Sequence, residues 1–137
     1  MIAISTFTVA AGIPVVSNTK NAAVNLSTAD LAIDHYVAAI TAGQLAGVEQ
    51  LFAADFNQKV KASDDKTNSR SEVILFLKKQ RGEQLNCKTS TTILEESNDY
   101  MVAKVTQQFE GFTKTDLVTL VNDGGNWKVS QSINSYK

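Results

Sequence analysis

Few side chains in this sequence are suited to chemistry. There is one histidine, His35, one cysteine, Cys87, and a tyrosine, Tyr36, directly after the histidine. A tyrosine hydroxyl can stabilise a developing oxyanion, and a histidine can carry protons. Adjacent residues on a helix point about 100° apart. If Tyr36 faces an interior, His35 therefore faces a flank or solvent. Cys87 adjoins Lys88, but strand neighbours face opposite sides, so the thiol reads as a small buried apolar residue. A lone cysteine excludes an internal disulfide and a multi-thiolate zinc site, and neither a metal site nor a cofactor is expected. No G-x-S-x-G elbow, H-E-x-x-H pair or glycine-rich phosphate loop is present. Gly124 and Gly125 suit a hairpin better. Glu95, Asp99, Glu110 and Asp116 lie in or beside strand-like runs, and any of them could supply an inward-pointing titratable group.

The elements that must position these residues are legible from periodicity. "NLSTADLAIDHYVAAITAG" begins with Ser27 as a helix cap, followed by Asp30 in the first turn. Ile33, Tyr36, Val37 and Ile40 form one helical face, and Gly43 suits the left-handed residue that ends the helix. "QLAGVEQLFAADF" predicts a second helix with Leu45, Val48, Leu51 and Phe52 as its stripe. "FNQKVKA" is a short strand with Phe56 and Val60 inward, and "SDDKTNSR" is a polar loop. "SEVILFLKKQRG" predicts a third helix capped by Ser71, with Val73, Phe76 and Leu77 inward and Gly82 as its stop. From Asn86 the period becomes two, and four strand-rich runs follow, joined by short turns including "SND" and "NDGG". Helices followed by a long antiparallel meander give an α+β fold. A twisted sheet covered on one side by helices forms a cone with an internal cavity.

The chain has 137 residues, of which 43% are hydrophobic and 20% charged, with a formal net charge of -1. That suits one soluble domain and offers no basic footprint for nucleic acid. The first twenty residues carry no charge before Lys20. The run from Ile2 to Val16 has the length and composition of a secretory h-region, without a basic n-region, and is too short to span a bilayer. Residues 1–22 are expected to be a leader-like segment and 23–137 the domain, which places the protein in the periplasm or outside the cell, or otherwise in the cytoplasm.

Three sequence features carry a family resemblance. "DHYVAAITAGQLAGVEQLFAADF" gives helix, glycine, helix and "LFAADF" before the first strand. The order helix, helix, strand, helix, meander follows, and "GGNWKVSQS" closes the last hairpin. Over about residues 27 to 137 the chain resembles the nuclear transport factor 2-like superfamily, which also contains ketosteroid isomerase, scytalone dehydratase and the SnoaL-type cyclases. With "NC" after the third helix, and "FEGFTKTDLVTL" followed by "WKVS", it is similar to the small exported bacterial domains labelled putative lumazine-binding. The resemblance implies a cystatin-like cone, with three N-terminal helices packed on a strongly curved, mostly antiparallel sheet.

In the steroid isomerases of this superfamily a first-helix tyrosine donates to an oxyanion, and Tyr36 matches that position. The isomerases also use a carboxylate base on the strand after the second helix. Here the matching position falls near Val60, beside Lys61, and no carboxylate is available. The expectation is therefore a non-catalytic ligand-binding or interaction domain with an apolar pocket for a small hydrophobic or aromatic molecule. Tyr36, Phe52, Phe56, Phe76 and Trp127 are its expected walls. The alternative is a dehydratase-, isomerase- or cyclase-type enzyme using Tyr36. The Thr-, Ser- and Gln-rich outer face of the strands is expected to form a homodimer through the sheet.

Overall fold

The computed structural model describes residues 24–62 and 64–137, so the leader-like segment 1–22 lies outside the described residues. Helix α1 spans Ala29–Ala42. It starts at Thr28 rather than Ser27: the Thr28 hydroxyl accepts from the Leu31 amide at 3.2 Å, while Ser27 is turned toward Asn25. Gly43 ends α1 at φ 64°. A β-carbon there would sit 2.6 Å from the Gly82 amide nitrogen, because the Gly43 carbonyl accepts from that amide. The contact ties the end of α1 to the loop after the third helix.

The second helix is a single turn, α2, Val48–Leu51. Phe52 does not continue its stripe but opens strand β1, Phe52–Lys61. "KTNS", read as loop from its polarity, forms strand β2, Lys66–Ser69, antiparallel to β1. Helix α3, Arg70–Lys79, follows. Its cap is Ser69 rather than Ser71, within a reciprocal capping box: the Glu72 amide donates to the Ser69 hydroxyl, and the Ser69 amide donates to the Glu72 carboxylate. The helices therefore do not all precede the sheet, since α3 is inserted between β2 and the meander.

The meander is β3 Lys88–Glu96, β4 Tyr100–Phe109, β5 Phe112–Asp123 and β6 Asn126–Tyr136. The described strands form one sheet in the order β2-β1-β6-β5-β4-β3. All neighbours are antiparallel except β1 and β6, which run parallel. Bulges interrupt the register in β1–β6, β3–β4 and β5–β6, and bulges bend strands and increase twist. The inner face packs against α1 and α2 to form the core, which includes Ile33, Leu51, Phe52, Met101, Leu120 and Val129. Each such buried side chain contributes about 1.5–3 kcal/mol. The segment before α1 is held by the Trp127 amide donating to the Leu26 carbonyl at 2.7 Å. Among the described residues, no helix is long and apolar enough to cross a membrane.

Candidate functional site

The inner face of the sheet changes character along its length. At one end β4, β5 and β6 turn Met101, Ala103, Val118, Leu120, Val129 and Trp127 inward, all buried. At the other end the same strands turn in Gln107, Lys114, Asp116, Ser132, Asn134 and Tyr136. On β6 this change depends on a bulge. Val129 pairs with Leu120 and Gln131 with Thr119, which leaves Ser130 as the extra residue. Alternation resumes one residue late, so Ser132 and Asn134 are buried and Ile133 is not.

Tyr36 reaches this polar end from α1. It is 2% exposed, and its ring meets that of Phe52 in a T-shaped contact at 6.1 Å. Its hydroxyl donates to Asp116 Oδ2. Ser132 donates to Asp116 Oδ1 at 2.6 Å, and its Oγ also lies 3.3 Å from Tyr36 Oη and from Asn134 Oδ1. Asp116 is 1% exposed. Burial raises its pKa; hydrogen bonds from Ser132 and Tyr36, and the charge of Lys114, offset part of that effect. Tyr36 is pushed well above the usual tyrosine range, by burial first and then by Asp116. Of the four carboxylates considered from sequence, Asp116 points inward. Glu95 is exposed and accepts from the Tyr100 hydroxyl, and Asp99 and Glu110 sit exposed at turns.

A cavity of about 480 Å³ lies between α3 and the polar end of the sheet. Ile40, Val60, Val73, Phe76, Leu77 and Leu85 give it an apolar wall, while Tyr36, Lys114 and Asn134 line its sheet side and Gln58 and Asn68 line β1 and β2. The lining is thus mixed, where an apolar pocket was expected. Lys114 is half-buried. Burial draws its pKa below the ordinary lysine range, and Asp116 partly restores it. Among the described residues the Lys114 ammonium has no ion pair. Opposite it in the β4–β5 ladder, Gln107 directs Nε2 toward Cys87 Sγ at 3.7 Å and buries an Oε1 without a donor.

Of the expected wall residues, Tyr36 and Phe76 line the cavity. Phe76 is 56% exposed, so it stands at the rim rather than packed inward as the helical stripe suggested. Phe52, Phe56 and Trp127 are packed in the core cluster. His35 is half-buried on the flank of α1. Cys87, expected in the core, is also only half-buried and sits just ahead of β3. Among the described residues no cluster of three metal-ligating side chains occurs.

Solved structures with this fold include an NTF-2-like protein of unknown function from Silicibacter pomeroyi, at TM-score 0.63 and 17% identity over 79% of this chain and 90% of that one. A protein of the DUF3225 family from Pectobacterium atrosepticum matches at TM-score 0.62 and 20% identity, covering 82% and 90%. An NTF2-like protein from Cytophaga hutchinsonii matches at TM-score 0.60 and 17% identity, covering 76% and 91%. At these identities the likeness concerns the fold. Nothing among curated proteins matches the chain. The family model described as "Putative lumazine-binding" matches residues 25–133, nearly the whole described domain, and the chain belongs to that family, with a nuclear transport factor 2-like fold.

Proposed function

We propose that this protein is a non-catalytic binding module whose small, ring-containing ligand occupies the cavity beneath α3. The observation that carries this reading is the cavity itself: about 480 Å³, with an aliphatic and aromatic wall on one side and hydrogen-bonding groups on the other. That size and mix are typical of small-molecule sites. The family description, lumazine-binding, supports a small heterocyclic or aromatic ligand. The test is a thermal-shift screen of fused-ring compounds, repeated on Val60→Phe, which fills the cavity from β1. Hits that raise the melting temperature of the wild type but not of the variant support the reading. Absence of any hit, or hits that persist undiminished in the variant, would refute it.

Asp116 favours a second reading, a dehydratase- or isomerase-type enzyme that uses Tyr36, because a buried carboxyl with a raised pKa is a proton-holding group. Against it, both Asp116 oxygens are already engaged by hydroxyls. Conversion of a bound compound to a product of different mass or different chromatographic retention, lost in Tyr36→Phe, would establish the enzyme. A homodimer through the outer sheet face, and export guided by residues 1–22, complete the proposal. Sedimentation and cell fractionation test them.

A further inference from the structure

The geometry points to a ligand that carries an anionic group, a carboxylate or sulfonate on an aromatic body, seated on Lys114 and Asn134. This rests on the cavity being the binding site and adds the chemical class of its occupant.

The cavity's sheet side carries a cation that makes no ion pair among the described residues. Asp116, on the same strand and face, draws Lys114 toward its charged form, but its oxygens accept from Tyr36 and Ser132 and it forms no salt bridge with the ammonium. Asn134 is 2% exposed and lines the cavity. Its Oδ1 lies 3.3 Å from Ser132 Oγ, whose proton goes to Asp116, and its amide nitrogen makes no hydrogen bond among the described residues. Gln58 and Asn68 bond each other across β1 and β2 at 2.9 Å. At the rim the charge of Lys66 acts on Glu72, whose carboxylate is held charged first by the capping box. Beside the neutral groups of Gln58, Asn68, Gln80 and Tyr136, what the cavity offers an anion is the desolvated Lys114 ammonium, with the Asn134 amide on the same wall. A half-buried ammonium that makes no ion pair is unfavourable, and charge-assisted hydrogen bonds to an incoming anion relieve it. Gln107, across the ladder from Lys114, is neutral and cannot balance its charge, and its Oε1 has no hydrogen-bond partner among the described residues. The aliphatic wall and the ring of Phe76 accommodate the apolar remainder of the ligand.

Two fluorescent probes separate the terms: anilinonaphthalene sulfonate, and phenylnaphthylamine, the same ring system without the anion. The wild type is expected to bind the sulfonate more tightly. Lys114→Met should weaken sulfonate binding by about tenfold to a hundredfold, the range of one charge-assisted hydrogen bond, and leave phenylnaphthylamine within about twofold. Lys114→Arg should retain part of the preference, and Lys66→Met should retain nearly all of it. The Met variant should melt at or above the wild-type temperature, since it removes a desolvated charge. Should it fold poorly, the ratio of the two wild-type affinities decides the matter. Equal affinities, or a sulfonate affinity untouched by Lys114→Met, would overturn the anion assignment while leaving cavity binding intact. Failure of both probes to bind the wild type would overturn both.

Discussion

Tyr36, Asp116 and Ser132 form a unit in which two hydroxyls saturate one buried carboxyl. Tyr36→Phe removes one donor from a group that water cannot reach, and should cost about 1.5–3 kcal/mol of stability, measurable by chemical denaturation. Asp116 also sets a pH dependence. Its pKa in the folded state is raised, by burial first, so folding favours its protonated form. The stability it contributes is full below the ordinary carboxylate value of about 4 and is lost as pH rises through the higher folded value. Subtracting the stability profile of Asp116→Asn from that of the wild type should therefore leave a curve that falls as pH rises above about 4. A flat difference curve would show that Asp116 titrates as an exposed acid does. Tyr36 was legible in the sequence because helical spacing fixes its face. Asp116 was in phase with Val118 and Leu120, yet nothing in composition separated it from Glu95, Asp99 and Glu110. Lys114 was passed over because lysines on a strand usually mark a solvated face.

The elements were legible where local chemistry decides them and illegible where tertiary contacts do. The turns at "SND" and "DGG" and the strands they join follow from turn propensity and alternation. Phe52 reads as helix by spacing, but the parallel ladder with β6 claims it for a strand, pairing it with Val129. "KTNS" has no apolar alternation, and it becomes a strand because β1 offers it an open edge. Gly43 shows how one position can serve two elements, ending α1 in the left-handed region while letting the α3 loop approach. Gly43→Ala incurs the left-handed penalty of about 1–2 kcal/mol and a clash with the Gly82 amide. The expected total is about 2 kcal/mol or more, with sulfonate-probe affinity falling as well because α3 forms the cavity wall. Thermal melts and probe titrations on the same sample check both.

At the scale of the whole molecule, the cone has a well-packed apolar end and a polar end open to solvent. The packed end is fastened to the chain before α1 through Leu26, which belongs to the core cluster, and through Val24, which lies so close to Gly47 that a side chain there would collide with it. A chain shortened to begin at Ala23 should fold and melt in one cooperative step, while loss of folding would assign residues 1–22 a structural part. The curved sheet with its covering helices was legible from the order of helices and strands, whereas its polar interior was not. Of the residues that make it polar, Ser132 and Asn134 lie on β6 beyond Ser130, where simple alternation from Trp127 and Val129 would turn Gln131 and Ile133 inward instead. Without Ser130, plain alternation from Val129 would still bring Ser132 and Asn134 to the inner side, so the bulge offsets the extra residue and keeps the facing of the strand beyond it. The bulge thus works as a phase correction, letting an odd chain step from Val129 to Ser132 join two residues of one face, and a variant that lacks Ser130 should keep the same inward residues while losing the local bend.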